Sequence, residues 1–377
     1  MKFTVENKKL KKAIQKVFKA VSKKTSMPIL ENILVIAEEE KVKLAATDLK
    51  AAIRTEIEEV KIEKEGKTLL EGSFFKNVIK EMPKGEISVK KNRVNTKIFT
   101  DKNQINIKNE KVEEFPEVFD NSFEENFKFE IAENVLLDGL NKVKYSMDKD
   151  QGRLRLEGVL LTIDEKDGEK EMKLVSTDTY RLSVFDTKNY YVLEEGDCKE
   201  GIETIIPREA VKKLTSLLNS KESKRVEITL DDSRLKLKND ELELTTQVID
   251  DQFPDYERIL DTGSKVEFEV EYKKIYQALR KAKILTSPDN RGVEIKVNEN
   301  GLLEFKSLLP EVGSSTQKVD VDYTGKEFSM YMNIEYLLQG VKVAKDKMIK
   351  FKTEDSLSPL KVIGKNYENV NMPLRSM

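Results

Sequence analysis

Three stretches of the chain share one pattern of apolar and polar positions. FTVENKKLKKAIQKV from Phe3, FEIAENVLLDGLNKV from Phe129 and FEVEYKKIYQALRKA from Phe268 align without gaps. In each, a phenylalanine opens a period-2 alternation. Apolar residues then recur four apart, at Leu10 and Ile14, Leu136 and Leu140, Ile275 and Leu279. Alternation at two marks a half-buried strand, and spacing at four puts side chains on one helix face. Each copy predicts a strand followed by a helix of about three turns.

Later landmarks keep the same order. Thr47-Asp48 matches Thr177-Asp178, each between strand-like runs, and Phe115-Pro116 matches Phe253-Pro254. Such periodic self-similarity predicts three homologous domains, 1–124, 125–262 and 263–377. The polar stretches Asp120–Asn126 and Leu260–Lys265 serve as linkers. Each domain reads as two similar halves. In the first, strand Phe3–Val5 and helix Asn7–Lys19 precede strands near Asn32–Ala37, Lys41–Thr47 and Ala52–Ile62. Strand Thr68–Glu71 and helix Phe74–Glu81 then precede strands near Glu86–Lys90, Asn95–Thr100 and Gln104–Lys108. Further helices are expected near Glu133–Lys144, Arg208–Asn219, Tyr272–Lys283 and Asn333–Lys345. The fold class is α+β, with a β-α-β-β-β unit twice per domain and six times per chain.

Composition removes several functions. With 377 residues, 38% apolar and 36% charged, the chain can bury sizeable cores beneath a strongly charged surface. There is no histidine, which removes the commonest general base and most zinc sites. The single cysteine, Cys198, sits in the acidic run EEGDCKEG, where carboxylates raise a thiol pKa. No phosphate-cradling glycine motif occurs, and no cofactor is expected. No apolar run approaches the roughly 18 residues of a membrane span, and MKFTVENKKLKK has no leader-like core. A reducing cytoplasm is the expected compartment.

Charge is sorted along the chain. The net is −2, yet the six expected helices sum to +15, leaving −17 elsewhere. Helices on one wall of a sheet assembly make that wall basic, and a basic wall attracts phosphates without reading sequence. Helices packed roughly 8–10 Å apart in a ring of six enclose a diameter near ~19 Å. Twelve give about 38 Å between axes and about 28 Å clear. Only the second passes duplex DNA, about 20 Å across, so such a ring requires two chains.

The residues resemble a known family at this point. MKFTVE, MPILENIL (Met27–Leu34), TDLKAAI, RLRLEGVLL (Arg153–Leu161), STDTYRL, FPDYERIL (Phe253–Leu260), RGVEI (Arg291–Ile295) and NMPLRSM occur in order along the whole chain. Together they are similar to the bacterial DNA polymerase III beta subunit, the sliding clamp. The resemblance implies a head-to-tail homodimeric ring with helices inside and sheets outside, without catalysis. It implies a tether for the polymerase III alpha subunit, a clamp-loader complex and other proteins carrying a short peptide rich in Gln, Leu and Phe. Carried across, the peptide pocket comprises Leu156, Thr177, Tyr180, Arg181, Leu182, Pro254, Arg258, Ile259, Leu357, Met372, Pro373, Leu374 and Arg375. An apolar floor would hold the peptide's anchors while Thr177 and basic rim groups bond its polar ends. DNA contact falls to Lys24 and Arg153, with Lys23, Lys9 and Lys12 added on charge. The ring interface falls to Ile105 and Ile107 against Ile284 and Leu285. The chain departs from the family pattern at Thr179-Tyr180, where Gly-His is usual, at Pro359 in place of a serine, and in continuing through Ser376 and Met377.

Two alternatives stand beside the clamp on residues alone. One is a repeat scaffold that binds proteins through its sheets and never encircles DNA. The other is a magnesium-dependent enzyme with Asp178 as acid and Arg181 as phosphate clamp.

Overall fold

The structure is a computed structural model. It describes residues 1–22, 25–117, 123, 126–149, 152–166, 169–194, 201–218 and 224–375. Lys23, Lys24, Cys198, Ser376 and Met377 lie outside them, as does most of the expected linker at Asp120–Asn126. Among the described residues the helices are α1 (Asn7–Val17), α2 (Gly72–Glu81), α3 (Glu133–Val143), α4 (Arg208–Leu217), α5 (Glu257–Leu260), α6 (Tyr272–Lys283) and α7 (Ile334–Ala344). No helix among them is long and apolar enough to cross a membrane.

All helices but α5 belong to the six expected units, each a leading strand, a helix and a meander of three strands. In α1 the residues at the predicted spacing, Leu10, Ala13, Ile14 and Val17, are buried, together with Asn7 at its start. The two halves of a domain exchange their leading strands. Lys2–Glu6 pairs with Glu86–Lys91 of the second half, while Gly66–Glu71 pairs with Asn32–Glu38 of the first. The later repeats do the same. Phe127–Ala132 pairs with Arg225–Leu230 and Ile202–Pro207 with Gly158–Lys166. Val266–Glu271 pairs with Met348–Thr353 and Phe328–Asn333 with Gly292–Val297.

The chain forms two compact units. The first holds Met1–Asn134, Tyr190–Lys199 and Lys212–Val248, with sheets of five and nine strands. Its larger sheet crosses from one sequence repeat to the next, where Ala51–Ile57 pairs with Leu242–Gln247. The second holds Val135–Asn189, Glu200–Val211 and Ile249–Met377, with sheets of eight and four strands. There Arg181–Thr187 pairs with Tyr367–Asn371. Both units thus cut through the middle repeat, because backbone pairing is as continuous across a repeat boundary as within a repeat. A large apolar core in the second unit, including Phe268, Ile275, Leu279, Phe305, Leu337 and Phe351, lies beneath α6 and α7.

Three elements differ from expectation. The run Ala52–Ile62 is two strands, Ala51–Ile57 and Lys61–Lys64, with Glu59 at φ 58° turning the chain between them. Lys61–Lys64 flanks the leading strand Lys2–Glu6, and Tyr190–Glu194 does the same for Phe127–Ala132. Helix α1 ends two residues early in a 3-10 turn, Phe18–Ala20. Helix α5, a single turn after Phe253-Pro254, carries no amphipathic pattern long enough to read.

Candidate peptide pocket and basic helix face

Strand register gathers most of the expected pocket residues at one end of the eight-stranded sheet. Thr177 lies opposite Leu182, Arg181 opposite Asn371, and Leu360 opposite Asn371. The turn at 178–180, the hairpin at 354–359 and the segment 372–375 therefore emerge together. Leu156, a buried residue just before Gly158–Lys166, enters at the same end, because Leu160 lies opposite Val175. Leu182 forms the floor with Leu160, Val184 and Val370. Phe253 and Tyr256 pack edge-on at 6.3 Å in that same cluster, which anchors the segment bearing Pro254, Arg258 and Ile259. Lys361 Nζ donates to Leu260 O and caps α5 from the sheet. Tyr180, at 63% exposure, is open to solvent, and Leu357, Met372, Leu374 and Ile259 are exposed beside this buried floor. The main chain knits the parts together: Met372 N donates to Tyr180 O at 2.9 Å and Leu374 N to Tyr331 O at 2.8 Å. A cavity of about 500 Å³ continues past Leu374 and Arg375 along Tyr331 and Leu308.

The Thr-Asp turn is built alike in both repeats that carry it. Thr47 Oγ1 donates to Ala51 O at 3.0 Å and accepts from Leu49 N at 3.0 Å. Thr177 Oγ1 donates to Arg181 O at 2.7 Å and accepts from Thr179 N at 3.1 Å. Asp48 Oδ1 accepts from Lys50 N and Ala51 N, and Asp178 Oδ1 from Tyr180 N and Arg181 N. The residue after each aspartate is left-handed, Leu49 at φ 69° and Thr179 at φ 75°. The Asp side chain satisfies the turn's amides and makes that backbone tolerable.

Two pocket expectations need correction here. Thr177 and Arg181 are not open rim groups. Both hydrogen bonds of Thr177 Oγ1 are internal to its turn, and Arg181 is only 5% exposed. The guanidinium donates from Nε to Asp178 Oδ2 at 2.9 Å and from Nη2 to Tyr145 O at 2.6 Å. Nη1 bonds Gln339 Oε1 of α7, and the Tyr336 ring lies 4.3 Å from Cζ. Gly340 permits this approach, since a Cβ there would overlap the Asn369 amide. Burial pushes the Asp178 carboxyl above the usual range even though Arg181 pulls it down. Arg181 and Thr177 therefore lie within the wall, and the exposed side chains at this end of the sheet are Tyr180, Leu357, Met372, Leu374, Ile259 and Arg258.

The basic helix face is also partly answered from within. Lys9 pairs with Glu59 at 2.5 Å, and Lys12 and Lys16 pair with Glu241 at 2.9 and 2.6 Å. These lysines hold Glu241 down to about 2. Lys9 and Lys12 are thus not free cations. Their acids lie 50 and 229 residues away, beyond any count along the helix. Lys8 is exposed on α1 and unpaired among the described residues, a position that charge counting alone did not separate from its neighbours. Arg153 is exposed at the start of a 3-10 turn, Leu154–Leu156. At the expected interface Ile105 and Ile284 are exposed, and Leu285 is half-buried. Ile107 is only 7% exposed because the strand Gln104–Lys108 turns it into the core. No group of His, Cys, Asp and Glu among the described residues is arranged to hold a metal.

Family models for the N-terminal, central and C-terminal domains of the DNA polymerase III beta subunit match residues 1–119, 130–255 and 257–375. The chain belongs to the DNA polymerase III beta subunit family. It is similar to the beta sliding clamp of Buchnera aphidicola subsp. Rhopalosiphum padi, at 27% identity over 97% of this chain and 96% of that protein. It is 25% identical to the beta sliding clamp of Escherichia coli (strain K12) over the whole of both chains. The fold matches the DNA polymerase sliding clamp of Bacillus subtilis with a TM-score of 0.92 at 22% identity, covering all of both chains. It matches the DNA polymerase III subunit beta of Pseudomonas aeruginosa with a TM-score of 0.91 at 23% identity, again over all of both. As a member of the beta subunit family, the chain functions as a non-catalytic DNA sliding clamp in replication.

Proposed function

We propose that two copies of this beta subunit close head to tail around duplex DNA, each contributing the three repeats 1–124, 125–262 and 263–377. DNA, the polymerase and a second copy are its partners. The observation that carries this reading is an unfinished pairing rule. In two joints within the chain, the third strand of one repeat's first half pairs with the third strand of the next repeat's second half. Two such strands are left without that partner among the described residues, Gln104–Lys108 in the first repeat and Gly313–Asp320 in the third. An open strand edge is a template for another chain. Exposed apolar side chains cluster by them: Phe74 (67%) and Ile105 near one, Ile284 (74%), Leu308 and Val312 near the other.

Once closed, the ring holds DNA by topology, and Lys24 and Arg153 supply phosphate contacts that need not distinguish sequence. The pocket at the end of the eight-stranded sheet takes the short peptide of the polymerase III alpha subunit, of the clamp-loader complex and of other DNA-processing proteins. Apolar peptide side chains fill the floor over Leu182, and Tyr180, Arg258 and Arg375 meet the polar ends. The ring works in the cytoplasm, on nucleoid DNA.

The test combines sedimentation with DNA retention. A dimer that stays on closed circular duplex after loading and leaves linear duplex is expected. Equal retention on circular and linear DNA would sink the reading.

A further inference from the structure

The same position of each repeat's leading helix carries a lysine: Lys16, Lys142 and Lys281 occupy the fourteenth place of the three gapless stretches. The first two each reach a hairpin of the next repeat, one through a carboxylate and one through a main-chain carbonyl. Lys16 Nζ bonds Glu241 at 2.6 Å, in the hairpin that joins Arg234–Asn239 to Leu242–Gln247 of the next repeat. Lys142 Nζ donates to Lys365 O at 2.9 Å, in the hairpin that joins Leu360–Gly364 to Tyr367–Asn371 of the next repeat. Both side chains are mostly buried, at 18% and 12% exposure, and Lys142 also pairs with Asp138 of its own helix at 2.9 Å. Lys281 is exposed and has no partner among the described residues. The hairpin that completes the series is the one at 100–103, between Asn95–Phe99 and Gln104–Lys108. Its acid, Asp101, is exposed and also lacks an ion-pair partner among the described residues.

We infer that Lys281 of one copy binds the 100–103 hairpin of a second copy, with Asp101 as the acceptor. The partner is a second copy of this chain, and the inference rests on the ring reading above. Two joints in the chain carry a lysine-to-hairpin bond, the Lys16 joint to a carboxylate, and the third lysine and third hairpin are the leftover halves of the same series. The hairpin at 100–103 is two residues longer than its counterparts at 240–241 and 365–366. The extra reach suits a side-chain carboxylate held out to an incoming ammonium. A charge pair at the edge of an association surface acts on encounter and register as well as on affinity. Lysines in this position belong to joints, which separates them from lysines that meet DNA.

Lys281→Glu and Asp101→Lys are made singly and together, and dimer dissociation constants are measured by sedimentation at low and moderate salt. Each single variant should weaken the dimer by at least about fivefold, more at low salt. The double variant should return to within about twofold of the unaltered protein. Lys16→Ala serves as control, since its joint lies within one chain, and should leave the dimer constant unchanged. Both altered residues are exposed, and circular dichroism checks that the variants stay folded. Single variants that dimerise normally, or a double variant no better than the singles, would overturn the assignment while leaving the ring intact. An unaltered protein that stays monomeric at every concentration would overturn the ring reading and this pair together.

Discussion

Arg181 carries a permanent charge into a nearly closed site and finds a partner for each of its three nitrogens. Removing one member of such a buried set leaves the others uncompensated, which costs about 3–5 kcal/mol. Arg181→Ala should therefore lower the unfolding free energy by that amount in denaturant titration. Tyr180→Ala, one residue away and exposed, should stay within about 0.5 kcal/mol in the same titration. It should instead weaken binding of a Gln/Leu/Phe-rich peptide, read by fluorescence anisotropy. The pair of results separates wall from contact surface. The sequence made the Thr-Asp turn legible, because its echo at Thr47-Asp48 exposes a shared local hydrogen-bond scheme. It did not show that Arg181 points inward, because Gln339 and Tyr336 come from a helix more than 150 residues on.

Among elements, α1 and the hairpin at 239–242 show how helix and loop from different repeats are tied. Lys12 and Lys16 converge on Glu241 and depress its pKa to about 2. A carboxyl with a lowered folded pKa stabilises fully above its ordinary value, about 4.5, and loses that contribution as pH falls toward the folded value. Glu241→Gln should thus be less stable than the unaltered protein at pH 7, with the gap closing between about pH 5 and pH 2 in thermal melts. The group is part-exposed, so the gap should also shrink with added salt. Leading strands and helices were readable because both periods repeat three times over. The strands Lys61–Lys64 and Tyr190–Glu194 were not, since four or five residues at a sheet edge carry too few alternations to register. Helix α5 was missed for the same reason of length.

For the whole molecule, the third-strand rule predicts where two copies associate. Ile284, mostly presented to solvent in one copy, should become buried on closure. Ile284→Asp should shift the sedimenting species from dimer to monomer and leave the melting temperature of the monomer little changed. Three-fold repetition made the whole-chain architecture legible. Which isoleucine of QINIK is outward was not legible, because one-residue alternation alone cannot say which members of a face lie over the core and which project past its rim.

Exchange of leading strands has a consequence for synthesis. A half that has just left the ribosome holds a meander whose fourth strand has yet to be made, as Asn32–Glu38 must wait for Gly66–Glu71. The eight-stranded sheet, like the nine-stranded one, waits far longer: Arg181–Thr187 keeps a bare edge until Tyr367–Asn371 has emerged, some 180 residues later. At the usual pace of translation, roughly 5–20 residues per second, that edge stands open for about ten seconds or more. The nascent chain is thus most exposed to mispairing with its neighbours on the same messenger, where the next copy offers an identical final strand to the same vacancy.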